Sequence, residues 1–461
     1  MTLKSRDAMR HLKARLGRPT AVLAALMLGS PIAQAAPQAP AATAAPPNPD
    51  DTAAATTPVK DAEREINIVV IGKRQNLLRV PGSGATIEGD QLERSRVFTV
   101  NEALRTVPGI FPRDEEGLGM RPNIGVRGLN PTRSTKVLLL EDGIPLAFAP
   151  YGDNATYFHP PVRRCDRIEV LKGASQVRFG PQTIGGVINY ITPRVPETFE
   201  AKGLLAGGNR DYLEIEASVG GPFVGGRALA HAQMKESAGA RENTFIRMND
   251  VSLKAEWDVA ADQVITVRAS RFAEDSQVTY SGLTLSEYLA NPFANPFSND
   301  RFTTERWGGS VSHAWFLSDA VSLKSTAYGS YFTRDWWRQS SNASQRPNDA
   351  SDAACAGMAN LNTTCGNEGR LRDYDVLGLE TRLSADAQLG DIPARFEAGL
   401  RCHIEDQHRR QWNGDAPTSR TPGTGVNAGV REDNDRNIDA LSGFISGQFR
   451  FGSVLVEPGA R

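Results

Sequence analysis

The chain has 461 residues, 40% of them apolar and 23% charged, and a formal net charge of −1. That balance excludes nucleic-acid binding through a basic surface, and the lack of any 18-residue apolar run excludes a helical membrane span. A membrane β-barrel stays open, because its apolar residues alternate with polar ones and keep mean hydropathy low, here −0.37.

Residues 1–35 read as a secretory signal. Lys4, Arg6, Arg10, Lys13, Arg15 and Arg18 precede an apolar stretch from Thr20 to Gly29, and Ala33-Gln34-Ala35 supplies a small-x-small cleavage site. These residues carry six positive charges and one negative, so their removal takes the net charge from −1 to −6. Export makes a disulfide between Cys355 and Cys365 the expectation, whereas Cys165 and Cys402 are not expected to pair. No CxxC pair or His-rich zinc spacing occurs, so neither a metal centre nor a cofactor is expected.

Residues 36–64 form an Ala/Pro-rich tether that cannot bury a core. The run Ile66-Asn67-Ile68-Val69-Val70-Ile71, within residues 65–72, is β-prone. It reads either as the first strand of the next domain or as a docking strand that a partner adds to its own sheet.

Residues 73–199 read as a mixed α/β domain. Thr99-Val100-Asn101-Glu102 is a capping box opening a short helix that stops at Pro108-Gly109. Strands are expected at Asn123–Arg127, Lys136–Glu141, Arg167–Lys172 and Val187–Thr192, the second closed by the Asp142-Gly143 turn.

From residue 200 to 461 the period becomes two. Leu213, Ile215, Ala217 and Val219 share one face of Tyr212–Val219, with Glu214, Glu216 and Ser218 on the other. The pattern returns at Val251–Asp258, Val321–Tyr331, Leu377–Ala385, Phe396–His403 and Leu441–Phe451, giving about ten strands and the start of an eleventh at Ser453. Short links such as Asp258–Gln263 and Phe316–Ala320 alternate with long ones: Ser237–Asn249, Glu274–Thr304, Arg334–Asp373 and Ile404–Arg436. Placing every long loop at one end suits an antiparallel membrane barrel, with one face toward lipid and the other toward a wet lumen.

The stretches Val126-Arg127-Gly128-Leu129-Asn130-Pro131, Leu140-Glu141-Asp142-Gly143-Ile144-Pro145, Arg167-Ile168-Glu169-Val170-Leu171-Lys172-Gly173 and Phe179-Gly180-Pro181-Gln182-Thr183-Ile184-Gly185-Gly186-Val187-Ile188-Asn189-Tyr190 together resemble the plug of TonB-dependent outer-membrane receptors, in the ferric citrate receptor branch. The resemblance spans residues 65–461. It implies an α+β plug inside an outer-membrane barrel of about 22 strands, taking up a ferric chelate (citrate or another siderophore). Its partners would be the chelate, outer-membrane lipid, and TonB with its inner-membrane energising complex. It also implies that Ile66–Ile71 is the TonB box, and that basic residues at Arg127 and Lys172 pair with barrel carboxylates and lock the plug. With about ten strands present, the expectation is a truncated product that neither closes a barrel nor transports.

An anionic chelate calls for arginines on the plug's apical loops and the outer loops. The candidates are Arg113, Arg121 and Arg133 in the plug and Arg334 and Arg338 at the foot of an outer loop, with Tyr151 and Asp153 beside them. Trp336, Trp337, Phe293 and Phe297 offer stacking surfaces, while Asp114, Glu115, Glu116 and Asp153 oppose an anion and put citrate itself in doubt. An enzyme is not expected: Glu141 and Asp142 are adjacent in a strand and should point to opposite faces, and no Ser-His-Asp arrangement accompanies them. A receptor for a non-iron substrate and a non-transporting surface β-protein are the alternatives.

Overall fold

The computed structural model describes residues 82–114, 119–153, 155–173, 177–278, 282–295, 297–338, 367–416, 418–425 and 428–461. The signal, the tether, Ile66–Ile71, the Glu115-Glu116 pair and the Cys355–Cys365 disulfide lie outside the described residues.

The first part builds a five-stranded sheet from β1 (Ser83–Glu88), β4 (Val137–Glu141), β5 (Ile144–Pro145), β6 (Arg167–Lys172) and β7 (Gly186–Ile191), in the order β1-β6-β7-β4-β5. Only β4 and β7 run parallel. Every residue of β4, β6 and β7 is buried, so both faces of these strands are covered, β4 being an apolar run and β6 carrying the buried charges Arg167, Glu169 and Lys172. Helices α1 (Gly89–Ser95) and α2 (Val100–Leu104) and the small pair β2 (Ile110–Pro112) and β3 (Ile124–Val126) pack beside the sheet. Leu104, Ile124, Val126, Leu139, Ile168, Ile188 and Tyr190 form the centre of the core.

Thr99 caps α2 by accepting from Glu102 N at 3.3 Å. The reciprocal half of the box is shifted by one residue, with Glu102 accepting from Phe98 N at 2.8 Å. β4 and β5 join through Asp142 and Gly143 at φ 48° and 83°, a pair of left-handed residues suited to the twist of a two-residue hairpin. At Gly186 a side chain is excluded by contact, since a Cβ there would sit 2.5 Å from Leu171 O. The β1 and α1 elements, built from short polar stretches, carried no sequence signal.

The second part is a twelve-stranded antiparallel sheet. Its strands are β8 (Glu200–Gly208), β9 (Tyr212–Phe223), β10 (Gly226–Ala238), β11 (Phe245–Ala260), β12 (Gln263–Gln277), β13 (Arg301–Phe316), β14 (Val321–Arg338), β15 (Glu368–Leu389), β16 (Ile392–Asn413), β17 (Gly429–Phe451), β18 (Val454–Val456) and β19 (Gly459–Ala460). Each strand through β18 pairs with its chain neighbour, and β19 adds to β17.

This sheet is inside-out relative to a soluble one. Glu214, His231, Asp250, Glu274, Arg401, His403 and Glu405 are buried, whereas Leu253, Leu379, Leu400, Leu441 and Ile445 are more than half exposed. The polar face turns toward the α/β domain and the apolar face turns outward. Cys402 lies on the outward face and Cys165 in the α/β core, both unpaired.

The strands are longer than the hydrophobic alternation indicates, and the connections correspondingly shorter. Arg334–Arg338, Glu368–Asp373, Ile404–Asn413 and Gly429–Arg436 are strand, not loop. Beyond the apolar belt both faces carry polar residues, so the pairing continues where the periodicity signal has vanished.

Candidate functional site

Two groups of side chains join the α/β domain to the long sheet. The lower group is an ion-pair knot. Arg164, three residues before β6, lies 2.7 Å from Glu141 and 2.7 Å from Asp250 of β11. Arg268 of β12 lies 3.2 Å from Glu141 and 2.8 Å from Asp142. Asp142 also accepts from Thr192 N at 2.9 Å and Thr192 Oγ1 at 2.6 Å. Burial would raise the Glu141 and Asp142 carboxyls, but Arg164 and Arg268 at the first and Arg268 and Lys254 at the second outweigh it and hold both below the usual carboxylate range. The expectation that Glu141 and Asp142 face apart is therefore overturned. Asp142 has left the strand in a left-handed conformation, which swings its carboxylate onto the same guanidinium. Further bridges link Arg121 to Glu274 at 2.8 Å and Arg178 to Glu397 at 2.8 Å.

Arg127 and Lys172 make other contacts than those the resemblance implied. Arg127 donates to Ser83 Oγ at 3.1 Å and to Lys172 O, while Lys172 Nζ donates to Pro108 O at 2.6 Å. Both sit where β1 and β6 meet, Ser83 pairing with Lys172. They tie that end of the α/β domain together, and the sheet carboxylates are met by Arg121, Arg164 and Arg178 instead. Among the other motif residues, Gly128, Gly173 and Gly180 have positive φ, and Pro181 and Gly185 lead into β7. Asn189 Oδ1 accepts from Gly143 N at 3.0 Å and so pins the hairpin turn.

The upper group lies at the long-loop end. Arg334, Arg372 and Arg409 stand in register on β14, β15 and β16, an arrangement of like charges that needs counter-charges. Glu432 supplies one, 2.9 Å from Arg372 and 3.2 Å from Arg409. Asp153 supplies another, 3.4 Å from Arg409 and accepting from Tyr374 Oη at 3.1 Å. Arg338 lies 2.6 Å from Glu368. Arg133 rides on a single 3-10 turn, Thr132–Ser134, with its N–H donating to Asn123 Oδ1 at 2.7 Å. Its guanidinium lies 4.8 Å from the Tyr157 ring centre, and that of Arg334 lies 4.4 Å from it. Arg338 in turn stands 4.6 Å from the Trp336 ring. Burial would raise the Tyr157 phenol, yet Arg334 and Arg133 pull it down to about 8.

Below this rim the loop after β5 is clamped by the sheet. Glu405 accepts from Tyr151 N at 2.8 Å and Gly152 N at 2.9 Å, and is backed by His403 at 3.1 Å, itself 2.9 Å from Tyr328 Oη. Phe148 stacks on Phe332 with ring centres 3.7 Å apart and closes an aromatic floor with Tyr374.

Of the residues named from sequence, the structure thus gathers Arg133, Arg334, Arg338 and Trp336, with Asp153 at the edge. Arg113 is exposed and donates to Thr132 Oγ1, Arg121 is engaged by Glu274, and Tyr151 is held through its backbone. Trp337 lies against Trp412, Phe297 is fully buried, Phe293 is exposed, and Asp114 pairs with Arg105. Arg372, Arg409 and Tyr157 were missed. The first two fell in stretches read as loops, although the alternation Arg370, Arg372, Tyr374 was a usable polar period-two signal.

Residues 76–187 match the TonB-dependent Receptor Plug Domain family. The vitamin B12 transporter BtuB of Vibrio vulnificus is 30% identical over 187 residues, covering 40% of this chain and 29% of that protein. Among solved structures, the ferric citrate transporter FecA in its unliganded form superposes with a TM-score of 0.71 at 21% identity, covering 84% of this chain and 57% of that one. BauA, the ferric preacinetobactin receptor of Acinetobacter baumannii, superposes with a TM-score of 0.66 at 13% identity, over 85% of this chain and 59% of that one. The chain therefore spans under two thirds of the length of these relatives, which are transporters or receptors. Residues 76–187 are a TonB-dependent receptor plug domain, and the antiparallel sheet that follows has the fold of the barrels in which such plugs sit.

Proposed function

We propose that the chain supplies the plug and the strands that follow it in a TonB-dependent outer-membrane receptor for active uptake of a ferric chelate, with Ile66–Ile71 as the segment that TonB captures. The observation that carries the reading is the loop-end cluster: Arg334, Arg372 and Arg409 in register, with Arg133 and Tyr157 across from them. Guanidinium groups in that density suit a polyanionic ligand such as a ferric carboxylate. The outward apolar belt suits lipid. The ferric citrate transporter among the structural relatives supports citrate as the first chelate to try, and the vitamin B12 transporter supports cobalamin as the second reading.

Growth of an iron-starved deletion strain, complemented with the gene that encodes this chain and supplied with a panel of ferric chelates, tests the reading. Rescue by one chelate, lost on deleting residues 66–71 while binding persists, is the expected result. Rescue unaffected by that deletion refutes TonB-driven uptake. Rescue only of cobalamin-dependent growth replaces the substrate.

A further inference from the structure

A cavity of about 1000 Å³ separates the plug from strands β8–β14. On its sheet side Ser252, Ser270, Gly308 and Ser330 stand in register across β11–β14 and form a row of small residues. At a strand spacing of about 4.8 Å this row is about 14 Å wide. The next inward row toward the loops contains Asp250, Phe272, Arg306 and Phe332, with Asp250 held by Arg164, and the next toward the turns contains Lys254, Arg268 and Ser310.

Arg306 is the unusual member. It is only 6% exposed, and its guanidinium lies 5.1 Å from the ring centre of plug residue Phe158. Among the described residues no carboxylate stands within ion-pair distance of it and no group hydrogen-bonds it; the Glu141 and Asp250 carboxylates act on it from further off and are themselves paired with Arg164 and Arg268. A Cβ on Gly308 would lie 2.5 Å from Arg306 Nη1. The guanidinium therefore folds over Gly308 and onto the serine row, in space that only a glycine leaves. A buried cation in this setting calls for an anion, and the serine hydroxyls on the same wall are neutral donors for its remaining oxygens.

We infer that this row is a second, internal anion-binding station, in which Arg306 with Ser252, Ser270 and Ser330 takes a carboxylate-bearing ligand below the aromatic floor. It goes beyond the uptake reading, which concerns only the arginines at the loop end. The two are separable, because each rests on its own arginine.

Equilibrium dialysis of labelled metal-free citrate against the full chain in detergent micelles at low salt tests the station. The wild type is expected to bind two citrates per chain, Arg306→Gln one, Gly308→Val one, and Arg334→Gln one. Arg306→Lys, which keeps the charge but loses the fork, is expected to retain two sites with the internal one weakened about tenfold, which separates loss of the station from misfolding. Unchanged stoichiometry in both Arg306→Gln and Gly308→Val overturns the inference. So does a wild type that binds no citrate, or one citrate that Arg334→Gln removes. A wild type that binds one citrate, lost in Arg306→Gln and kept in Arg334→Gln, counts against the function proposed above and leaves the station standing.

Discussion

Replacing Arg164 by methionine should weaken plug docking more than any other single change in the ion-pair knot. The side chains of Arg164, Glu141 and Asp250 are 2%, 7% and 0% exposed, so removing the guanidinium orphans charges that water cannot reach. Breaking such a buried pair costs about 3–5 kcal/mol. Glu141 keeps Arg268 at 3.2 Å, leaving Asp250 as the main orphan, which argues for the low end, about 3 kcal/mol or roughly a hundredfold in the docking equilibrium. Calorimetry in detergent, with limited proteolysis of the plug as a second readout, measures the loss as a lower first transition. Arg164→Met with Asp250→Asn, which removes the orphan charge, should recover most of it. Acidification gives an independent arm. The folded-state pKa of Glu141 is depressed, so its contribution is full above the ordinary carboxylate range and is lost as pH falls through the folded value. Arg164→Met should lose that contribution at a higher pH than the wild type. Identical first transitions for Arg164→Met and wild type at pH 7 would refute the picture of a dry knot.

Glu405→Gln should loosen the loop over 149–153, since the backbone N–H groups of Tyr151 and Gly152 would lose a charged acceptor worth about 1.5–3 kcal/mol; hydrogen exchange there should quicken by roughly tenfold to a hundredfold. Tyr157 should titrate near pH 8 by ultraviolet difference absorbance, and Tyr157→Phe should remove that step. Because its folded pKa lies below the unfolded one of 10, the wild type should gain stability over Tyr157→Phe as pH rises from 8 to 10. Arg334→Gln should weaken binding of the rescuing chelate by tenfold or more, measured by direct titration, if the charge-assisted contact contributes its usual 1.5–3 kcal/mol.

The alternation of Leu213 with Glu214 and of Leu253 with Lys254 made the long sheet and its inside-out character legible, because that pattern is the direct imprint of a wall between an apolar and a polar surrounding. The turn at Asp142-Gly143 and the cap at Thr99 were equally plain, being local chemistry. What the sequence hid was tertiary. Whether Arg121 meets a ligand or Glu274 depends on a strand more than 150 residues away. The register that aligns Arg334, Arg372 and Arg409 arises only when three strands pair. Arg127 and Lys172 looked like locking residues by motif, but the pairing of β1 with β6 gives them partners inside the plug.

The length of the last strands has a geometric consequence. β15 and β16 have 22 residues and β17 has 23, about 75 Å of extended chain at 3.4 Å per residue. Tilted by about 45°, they rise about 50 Å along the membrane normal, roughly twice the height of the apolar band of an outer-membrane barrel. The outward leucines stop at Leu377, where Asp375, Asp373 and Asp406 take over. In the proposed setting the strands thus stand as a collar well clear of the hydrocarbon, with Arg334 and Arg372 buried inside its wall at 4% and 3% exposure. An anion would meet those arginines only after entering the collar, where salt screens a buried charge far less than an exposed one, so contact there should vary little with ionic strength.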